Sequence, residues 1–87
     1  MYKIILEKQV QKFLEKYKGE NIILSFLENL KILAEFPFEN NLDIVPMVGL
    51  ENSYRLRIGK YRFLYRIENE EICIYFFKAS SRGDVYK

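Results

Sequence analysis

The 87-residue sequence contains no histidine and a single cysteine, Cys73. Without histidine there is no imidazole base and no histidine metal ligand, and one cysteine can form neither an internal disulfide nor a zinc cluster. A glycine-rich phosphate-binding loop is also missing, because "VGLENS" has one glycine and no lysine. The acidic stretches "NNLD" and "ENEE" are interpreted as a solvated loop and a hairpin turn. We therefore expect no metal site and no cofactor.

Long apolar runs are absent as well, and none approaches the ~20 residues that a membrane-spanning helix needs. The stretch "MYKIIL" contains a lysine and is followed at once by "EKQVQK", which does not resemble a signal peptide. Together with the single cysteine, this predicts a cytoplasmic protein without a membrane partner. The length predicts one domain over residues 1–87, and seven Phe and seven Tyr supply apolar area for its core.

Arginine is missing from the first half of the chain. Residues 1–43 carry six Lys, six Glu and one Asp, a balance of −1, whereas residues 44–87 carry five Arg, three Lys, four Glu and one Asp, a balance of +3. Every arginine lies between Arg55 and Arg82. The planar guanidinium group binds phosphate with two parallel hydrogen bonds and stacks on bases. The asymmetry indicates a nucleic-acid surface; the alternative is chance use of arginine on a solvated sheet face.

The apolar residues of the first half follow a strand period and then a helix period. "YKIIL" (2–6) predicts a short strand, and the pattern after it predicts a helix that stops at Lys18-Gly19. A second helix, capped by Asn21, is predicted to end before Pro37. The expected core-facing positions of the two helices are Val10, Phe13, Leu14 and Tyr17, then Ile23, Phe26, Leu27, Leu30 and Leu33.

After an irregular connection predicted for residues 37–52, the chain alternates in "SYRLRIGKYRFLYRI" (53–67). The alternation predicts two strands, and its glycine–lysine pair fits a two-residue hairpin loop with glycine first. This turn places Arg57 directly opposite Arg62, although like charges in that position destabilise a sheet. Because the predicted strands hold no acidic residue before Glu68, we expect an unneutralised arginine cluster that serves binding.

A second hairpin is predicted with its turn centred on Asn69-Glu70, which pairs Ile67 with Ile72. The two hairpins agree on the faces of the sheet. One face is apolar and is expected to lie under the helices: Tyr54, Leu56, Ile58, Tyr61, Phe63, Tyr65, Ile67, Ile72, Ile74 and Phe76. The other face is basic and aromatic: Arg55, Arg57, Arg62, Leu64, Arg66, Cys73, Tyr75 and Phe77. Such a composition suits RNA phosphates and bases.

One reaction needs neither a metal ion nor an imidazole. RNA is cleaved when its 2′-hydroxyl attacks the adjacent phosphodiester, and a protein promotes this by supplying cations and in-line geometry. Arginine suits the stabilisation of charge but not the role of an ordinary general base, because its pKa exceeds ~12. A tyrosine could move a proton only if neighbouring cations lowered its pKa from ~10.

The stretch "YRLRIGKYRFLYRIENEEICIYFF" (54–77) and the later "SRGDVYK" (81–87) resemble the RelE/ParE superfamily of toxin–antitoxin toxins. They are similar to its basic strand, its "G-x-YR" hairpin, its next hydrophobic strand and its closing "R-x-(D/E)-V-Y". The resemblance implies an α+β fold in the order β-α-α-β-β-β. In this fold an N-terminal strand and a two-helix hairpin pack on one face of a small twisted antiparallel sheet.

The resemblance also implies an activity, because RelE-like toxins cleave mRNA in the ribosomal A site with basic sheet residues and a tyrosine near the C-terminus. The residues implied for catalysis are Arg62, Arg82 and Tyr86, and those expected to bind RNA are Arg55, Arg57, Tyr75 and Phe77. RelE has lysines at the pair matched by Arg55 and Arg57, and many relatives have histidine at the position of Ser81. The general base therefore stays unassigned.

The partners that the resemblance implies are a cognate antitoxin, the ribosome and mRNA, with a toxin–antitoxin hetero-oligomer as the assembly. Two alternatives stay open: a ParE-like inhibitor of DNA gyrase, or a degenerate homologue that only binds an antitoxin. Arg62 and Arg82 have the alternative of surface cations held by acidic groups, and Tyr86 that of a tail residue docked on the sheet edge. Arg66 is interpreted as a solvated cation.

Overall fold

The computed structural model describes residues 1–81, which form two helices and one five-stranded sheet. In chain order the elements are β1 (Lys3–Leu6), α1 (Lys8–Lys16), α2 (Asn21–Glu35), β2 (Ile44–Pro46), β3 (Ser53–Ile58), β4 (Tyr61–Glu68) and β5 (Cys73–Ser80). The predicted irregular connection is wrong at β2, whose three residues pair with β3. No helix within residues 1–81 is long and apolar enough to cross a membrane.

The strands lie in the order β1-β5-β4-β3-β2, so that β1 and β2 are the edges of the sheet. β1 runs parallel to β5, whereas all other neighbours are antiparallel. The α+β fold class is confirmed, with a mixed sheet in place of a purely antiparallel one. The parallel pair is possible because the helices carry the chain away from β1 before it returns to the sheet.

The core-facing stripe of α2 differs in part from the predicted one. Its buried residues are Ile22, Phe26, Leu30, Leu33 and Ala34. Ile23 is partly buried and packs against the core as predicted, whereas Leu27 is 46% exposed and was wrongly assigned to it. Asn21 is the first helical residue and not the cap; Glu20 occupies the cap position and makes no side-chain hydrogen bond there.

The core lies between the helices and the inner face of the sheet. Phe26 of α2 stacks on Phe63 of β4 with ring centroids 4.2 Å apart, and Phe13 of α1 meets Phe63 edge-on at 5.7 Å. Around them are Val10, Leu33, Leu56, Tyr65, Ile67, Ile74 and Phe76, each at most 1% exposed. Burying a side chain of this kind contributes roughly 1.5–3 kcal/mol. This packing holds the sheet in place, and the other face of the sheet carries the arginines.

The β3–β4 hairpin has the predicted register, with Arg57 opposite Arg62. The predicted β4–β5 register is wrong by two residues, because Ile67 pairs with Ile74 and not with Ile72. Ile72 belongs to the turn instead, where it has a φ of 54° and is 52% exposed. A shift of two residues leaves each strand side chain on its original face. The predicted inner face is therefore confirmed except at Ile72.

Strand β5 contains a β-bulge at Phe77, opposite the step between Leu64 and Tyr65 in β4. The extra residue changes the pairing beyond it, so that Arg62 lies opposite Ser80 and not opposite Phe77 as predicted. A bulge of this kind increases the local twist and re-aims the side chains beside it. The residue of β5 that lies opposite Arg62 is thus determined by the bulge, which the alternation of apolar and polar residues does not predict.

Candidate nucleic-acid interface

Four arginines and Tyr75 share the sheet face that points away from the helices, which we term the outer face. Because Leu56 and Phe63 point into the core, alternation directs Arg55 and Arg57 of β3 and Arg62 and Arg66 of β4 outward. Tyr75 of β5 lies opposite Arg66 in the sheet. The structure therefore places Arg55, Arg57, Arg62 and Tyr75 of the predicted site on one face of the sheet.

The carboxylate of Asp43 neutralises one corner of the outer face. Its Oδ1 accepts a hydrogen bond from Arg55 Nη2 at 2.9 Å, and its Oδ2 accepts one from Arg57 Nε at 2.7 Å. Arg55 is 8% exposed, whereas the side chain of Arg57 is 47% exposed. The predicted absence of neutralisation is wrong here, because an acid just before β2 reaches both arginines. Asp43 lies outside the strands that the sequence predicts, and the acidic residues of those strands alone therefore do not reveal it.

Arg62 lies directly across from Arg57 in a different environment. Its Nη1 donates a hydrogen bond to the backbone oxygen of Lys60 at 3.1 Å, which ties the half-buried side chain to the β3–β4 turn. Of the ion pairs within residues 1–81, none includes Arg62. Arg55, Arg57 and Arg62 carry three positive charges against the one negative charge of Asp43, a local balance of +2.

Arg66, at the other end of β4, is paired with two carboxylates. Its Nη1 lies 3.2 Å from Glu7 Oε2 and its Nε 3.2 Å from Glu68 Oε1. Its guanidinium carbon lies 4.4 Å from the centroid of the Tyr75 ring. Burial opposes the charged form, but the hydrogen bonds to Glu68 and Glu7 outweigh it and raise the pKa of Arg66. Arg66 is a surface cation, as interpreted, with its side chain 38% exposed, but two carboxylates that the interpretation did not include pair with it.

The hydroxyl of Tyr75 donates a hydrogen bond to the carboxylate of Glu71. That hydrogen bond is the main reason why the pKa of Tyr75 rises from 10.0 to about 12. Tyr75 consequently keeps its proton at neutral pH and is unsuited to accept one. Phe77, the bulge residue, is half-buried. RNA binding stays a prediction for each of Arg55, Arg57, Tyr75 and Phe77.

Two of the three residues predicted for catalysis, Arg82 and Tyr86, lie outside the described residues. Only Arg62 of that set is therefore placed in the fold, and the catalytic assignment of all three stays a prediction. Within residues 1–81, no group of three or more cysteine or acidic side chains is arranged to hold a metal ion.

Both the sequence and the fold match known toxins. The family model described as the ParE toxin of the type II toxin–antitoxin system, parDE, matches residues 4–86, and the chain therefore belongs to this family within the RelE/ParE superfamily. A chain of the archaeal RelE–RelB complex from Pyrococcus horikoshii OT3 is 29% identical, with a TM-score of 0.80 over 94% of this chain and 96% of that chain.

Two further structures share the fold at lower identity. The isolated E. coli RelE toxin is 15% identical, with a TM-score of 0.78 over 94% of this chain and 85% of that chain. A chain of the RelB–RelE complex from Methanococcus jannaschii is 23% identical, with a TM-score of 0.73 over 94% of each chain. Comparison with curated proteins finds no match.

Proposed function

We propose that this protein is the toxin of a type II toxin–antitoxin system and that it cleaves mRNA at the ribosomal A site by attack of the RNA's own 2′-hydroxyl. The observation that carries the proposal is the cross-strand pair Arg57–Arg62 on the outer face, with no carboxylate paired to Arg62 within residues 1–81. Opposed like charges weaken a sheet, and an anionic ligand would offset the repulsion between Arg57 and Arg62. Guanidinium groups suit phosphate.

In this reaction the O2′–P bond forms while the bond from phosphorus to O5′ breaks, and negative charge grows on the non-bridging oxygens. Arg62 donates hydrogen bonds to these oxygens, with Arg82 as the second proposed donor. Because Arg62 is fixed in advance on the sheet, it needs little reorganisation as the charge develops, and removing one such donor costs about 10²–10³ in rate. The proton of the 2′-hydroxyl passes to an acceptor, for which Tyr86 in its ionised form is the proposed group, and O5′ leaves as a 5′-hydroxyl after taking a proton from water. Tyr75 is unsuitable because its pKa is about 12.

The decisive experiment induces the protein in growing cells and maps mRNA 5′ ends by primer extension. We expect the wild type to produce cuts within translated reading frames and Arg62→Ala to produce none. Lys12→Ala is the matched control, because it removes one exposed positive charge from α1, away from the outer face. Cuts by a folded Arg62→Ala protein would refute the assignment of Arg62.

A second candidate function has one observation in its favour, since the family model that matches is that of ParE. A ParE-like protein would inhibit DNA gyrase without cutting RNA. Growth arrest with intact mRNA in the same experiment would support this candidate. No arrest at all would support a homologue whose arginines serve only its antitoxin.

We also propose an antitoxin as the partner and the cytoplasm, where ribosomes and mRNA are found, as the location. Four of the similar solved structures are toxin–antitoxin complexes. A groove of about 940 Å³ between β1 and α2 offers an apolar contact surface, which includes Leu24 and Leu27, 66% and 46% exposed. Patches of this kind mark interaction sites on soluble proteins.

The double variant Leu24→Glu/Leu27→Glu tests the proposed contact with the antitoxin. Placing two charges in the groove should abolish rescue by an antitoxin that neutralises the wild type in co-expression, while growth arrest persists. Ile32→Glu, which places a charge at an exposed apolar residue of α2 outside the groove, is the control and should still be rescued. Full rescue of the double variant would place the antitoxin contact elsewhere.

A further inference from the structure

The backbone fixes Asp43 beside Arg57. Ile44 pairs with Leu56 in the β2–β3 ladder, so Asp43 falls directly opposite Arg57, one step beyond the end of β2. The backbone nitrogen of Arg57 donates to the backbone oxygen of Asp43 at 2.9 Å. Residues directly opposed on antiparallel strands point to the same face of the sheet. The Asp43 carboxylate therefore stands on the outer face by virtue of strand register.

The two arginines that share this carboxylate are bound differently. Arg55 is 8% exposed, and its Nε is buried with no hydrogen-bond partner within residues 1–81, so Asp43 compensates a buried charge there. Arg57 is held only by its Nε, 2.7 Å from Asp43 Oδ2, and its side chain is 47% exposed. Within residues 1–81, neither terminal amino group of Arg57 makes a hydrogen bond.

We propose that Asp43 is a positioning residue, which holds the Arg57 guanidinium by its Nε so that both Nη groups are presented to an RNA phosphate beside Arg62. The inference rests on the proposed function in taking RNA as the ligand of the outer face. Without Asp43, repulsion from Arg62 would drive Arg57 away, and its long side chain would have to be ordered anew at each binding event. Fixing a side chain in its bound conformation removes that cost from association.

A purely electrostatic role for Asp43 would have the opposite sign. One negative charge on a phosphate-binding surface repels RNA, so its removal would tighten binding if charge were its only effect. Positioning instead requires that removal weaken binding, in spite of the gain in net positive charge. The direction of the change thus separates the two roles.

The test measures binding of a short 2′-O-methyl RNA, which has no free 2′-hydroxyl and is therefore not cleaved, by fluorescence anisotropy. Asp43→Asn should weaken binding about fivefold, as expected for ordering one rotamer-rich side chain. Arg57→Ala should weaken it at least as much, and adding Asp43→Asn to Arg57→Ala should cause no further loss. Unchanged or tighter binding by Asp43→Asn, or fully additive effects, would overturn the inference.

Two controls isolate the role of Asp43. Glu70→Gln removes the same charge from an exposed residue of the β4–β5 turn and should not weaken binding. Asp43→Glu keeps the charge and should recover part of the lost affinity. Because Asp43→Asn deprives buried Arg55 of its partner charge, Asp43→Asn is also measured in an Arg55→Met background, where it should cause the same fold loss of affinity relative to Arg55→Met alone.

A measurement on the wild-type protein alone provides a further test of the positioning role. Nitrogen NMR relaxation at Arg57 Nε should show a side chain as rigid as the backbone, and a mobile Arg57 would overturn the inference whatever the variants do. Failure of the proposed function is a separate result: no mRNA cuts in cells, with the Asp43 effect on RNA binding intact. A wild type that cuts mRNA but does not bind the 2′-O-methyl RNA would overturn the positioning role alone.

Discussion

Arg62 and Arg66 lie on the same strand and the same face, four residues apart, yet their surroundings differ. Arg66 is held by Glu7 and Glu68 and lies over the ring of Tyr75. Arg62 is tied to a backbone oxygen and is in no ion pair among residues 1–81. We term the Arg57–Arg62 region the open end of the outer face and the Arg66–Tyr75 region its closed end.

The difference shows that residue type and strand position do not decide what an arginine does. Two of the three deciding acids come from other parts of the chain: Glu7 from the residue before α1, and Asp43 from the residue before β2. The third, Glu68, is the last residue of β4. Paired on both sides, Arg66 is a stabilising surface cation. Arg62 has no carboxylate partner among residues 1–81, and its donors other than the one bonded to the Lys60 backbone oxygen are available to a ligand. The open end is therefore where we expect chemistry.

The comparison assumes that both ends rest on one rigid platform, and Phe63 tests this assumption. Phe63 sits on β4 between the two arginines and is fully buried against Phe13 and Phe26. Phe63→Ala should lower the free energy of unfolding by about 3–5 kcal/mol, a large share of a small domain's stability. Urea unfolding followed by circular dichroism measures it. Phe38→Ala, at a residue 60% exposed, should change it far less.

Alanine at each arginine of β4 tests the comparison itself. Arg62→Ala should lower the single-turnover rate of mRNA cleavage on programmed ribosomes about 10²–10³-fold, because a donor to the developing charge is lost. Arg66→Ala removes exposed ion pairs, each of which contributes at most about 1 kcal/mol to the stability of the fold. It should therefore leave the cleavage rate within about threefold of the wild-type rate. Equal losses in the two variants would mean that the ends do not differ in function.

Removing the negative charges that pair with Arg66 should make the closed end of the outer face more like its open end. The double variant Glu7→Gln/Glu68→Gln releases Arg66 from both of its carboxylates. RNA binding should tighten by about twofold to threefold, while the free energy of unfolding falls by about 1 kcal/mol or less. Anisotropy with 2′-O-methyl RNA and urea unfolding measure the two changes. A loss of RNA affinity would show that these acids serve the interface and do not close it.

The smallest expected effect concerns the proton of Tyr75. Its pKa is raised from 10.0 to about 12, chiefly by the hydrogen bond to Glu71. Because the protonated form is favoured in the folded state, this contribution to stability is complete below pH 10 and is lost as the pH rises from 10 to 12. Glu71→Gln should return the pKa toward 10.0, as followed by the NMR shift of Tyr75 Cζ. An unchanged titration in this variant would contradict the assigned cause.

Features of the fold that depend on local periodicity could be predicted from the sequence. Four of the five strands, the two helices and the β3–β4 register follow from alternation, helical spacing and the glycine–lysine turn. The buried stripe of α2 could not be fixed in this way, because Ile22, Ile23 and Leu24 are consecutive apolar residues and several rotations of the helix look equally amphipathic. The β4–β5 register was missed because a β-branched residue, Ile72, takes a positive φ in the turn.

The candidate site was predicted in its cations but not in its acids. Arginine positions on strands follow from the sequence, whereas the approach of Asp43 depends on a three-residue strand that ends in a proline, Pro46. Such a strand has too few residues for alternation to reveal it, and it forms only because the edge of β3 is available for pairing. The partners of a charge are set by tertiary structure and cannot be read from the spacing of one segment.

The central claim is that Arg62, which pairs with no carboxylate of residues 1–81, makes the open end the reactive one. Adding an acid beside Arg62 tests this claim most directly. Ser80 lies opposite Arg62 in the sheet, so Ser80→Asp would supply the kind of acid that Arg66 already has. Ser80→Asn is the neutral control, and Asn69→Asp adds the same charge at the far end of β4 while keeping the oxygen that accepts from Tyr2. We predict that single-turnover mRNA cleavage falls at least tenfold in Ser80→Asp and stays near wild type in both controls. Undiminished cleavage by a folded Ser80→Asp protein would contradict the account.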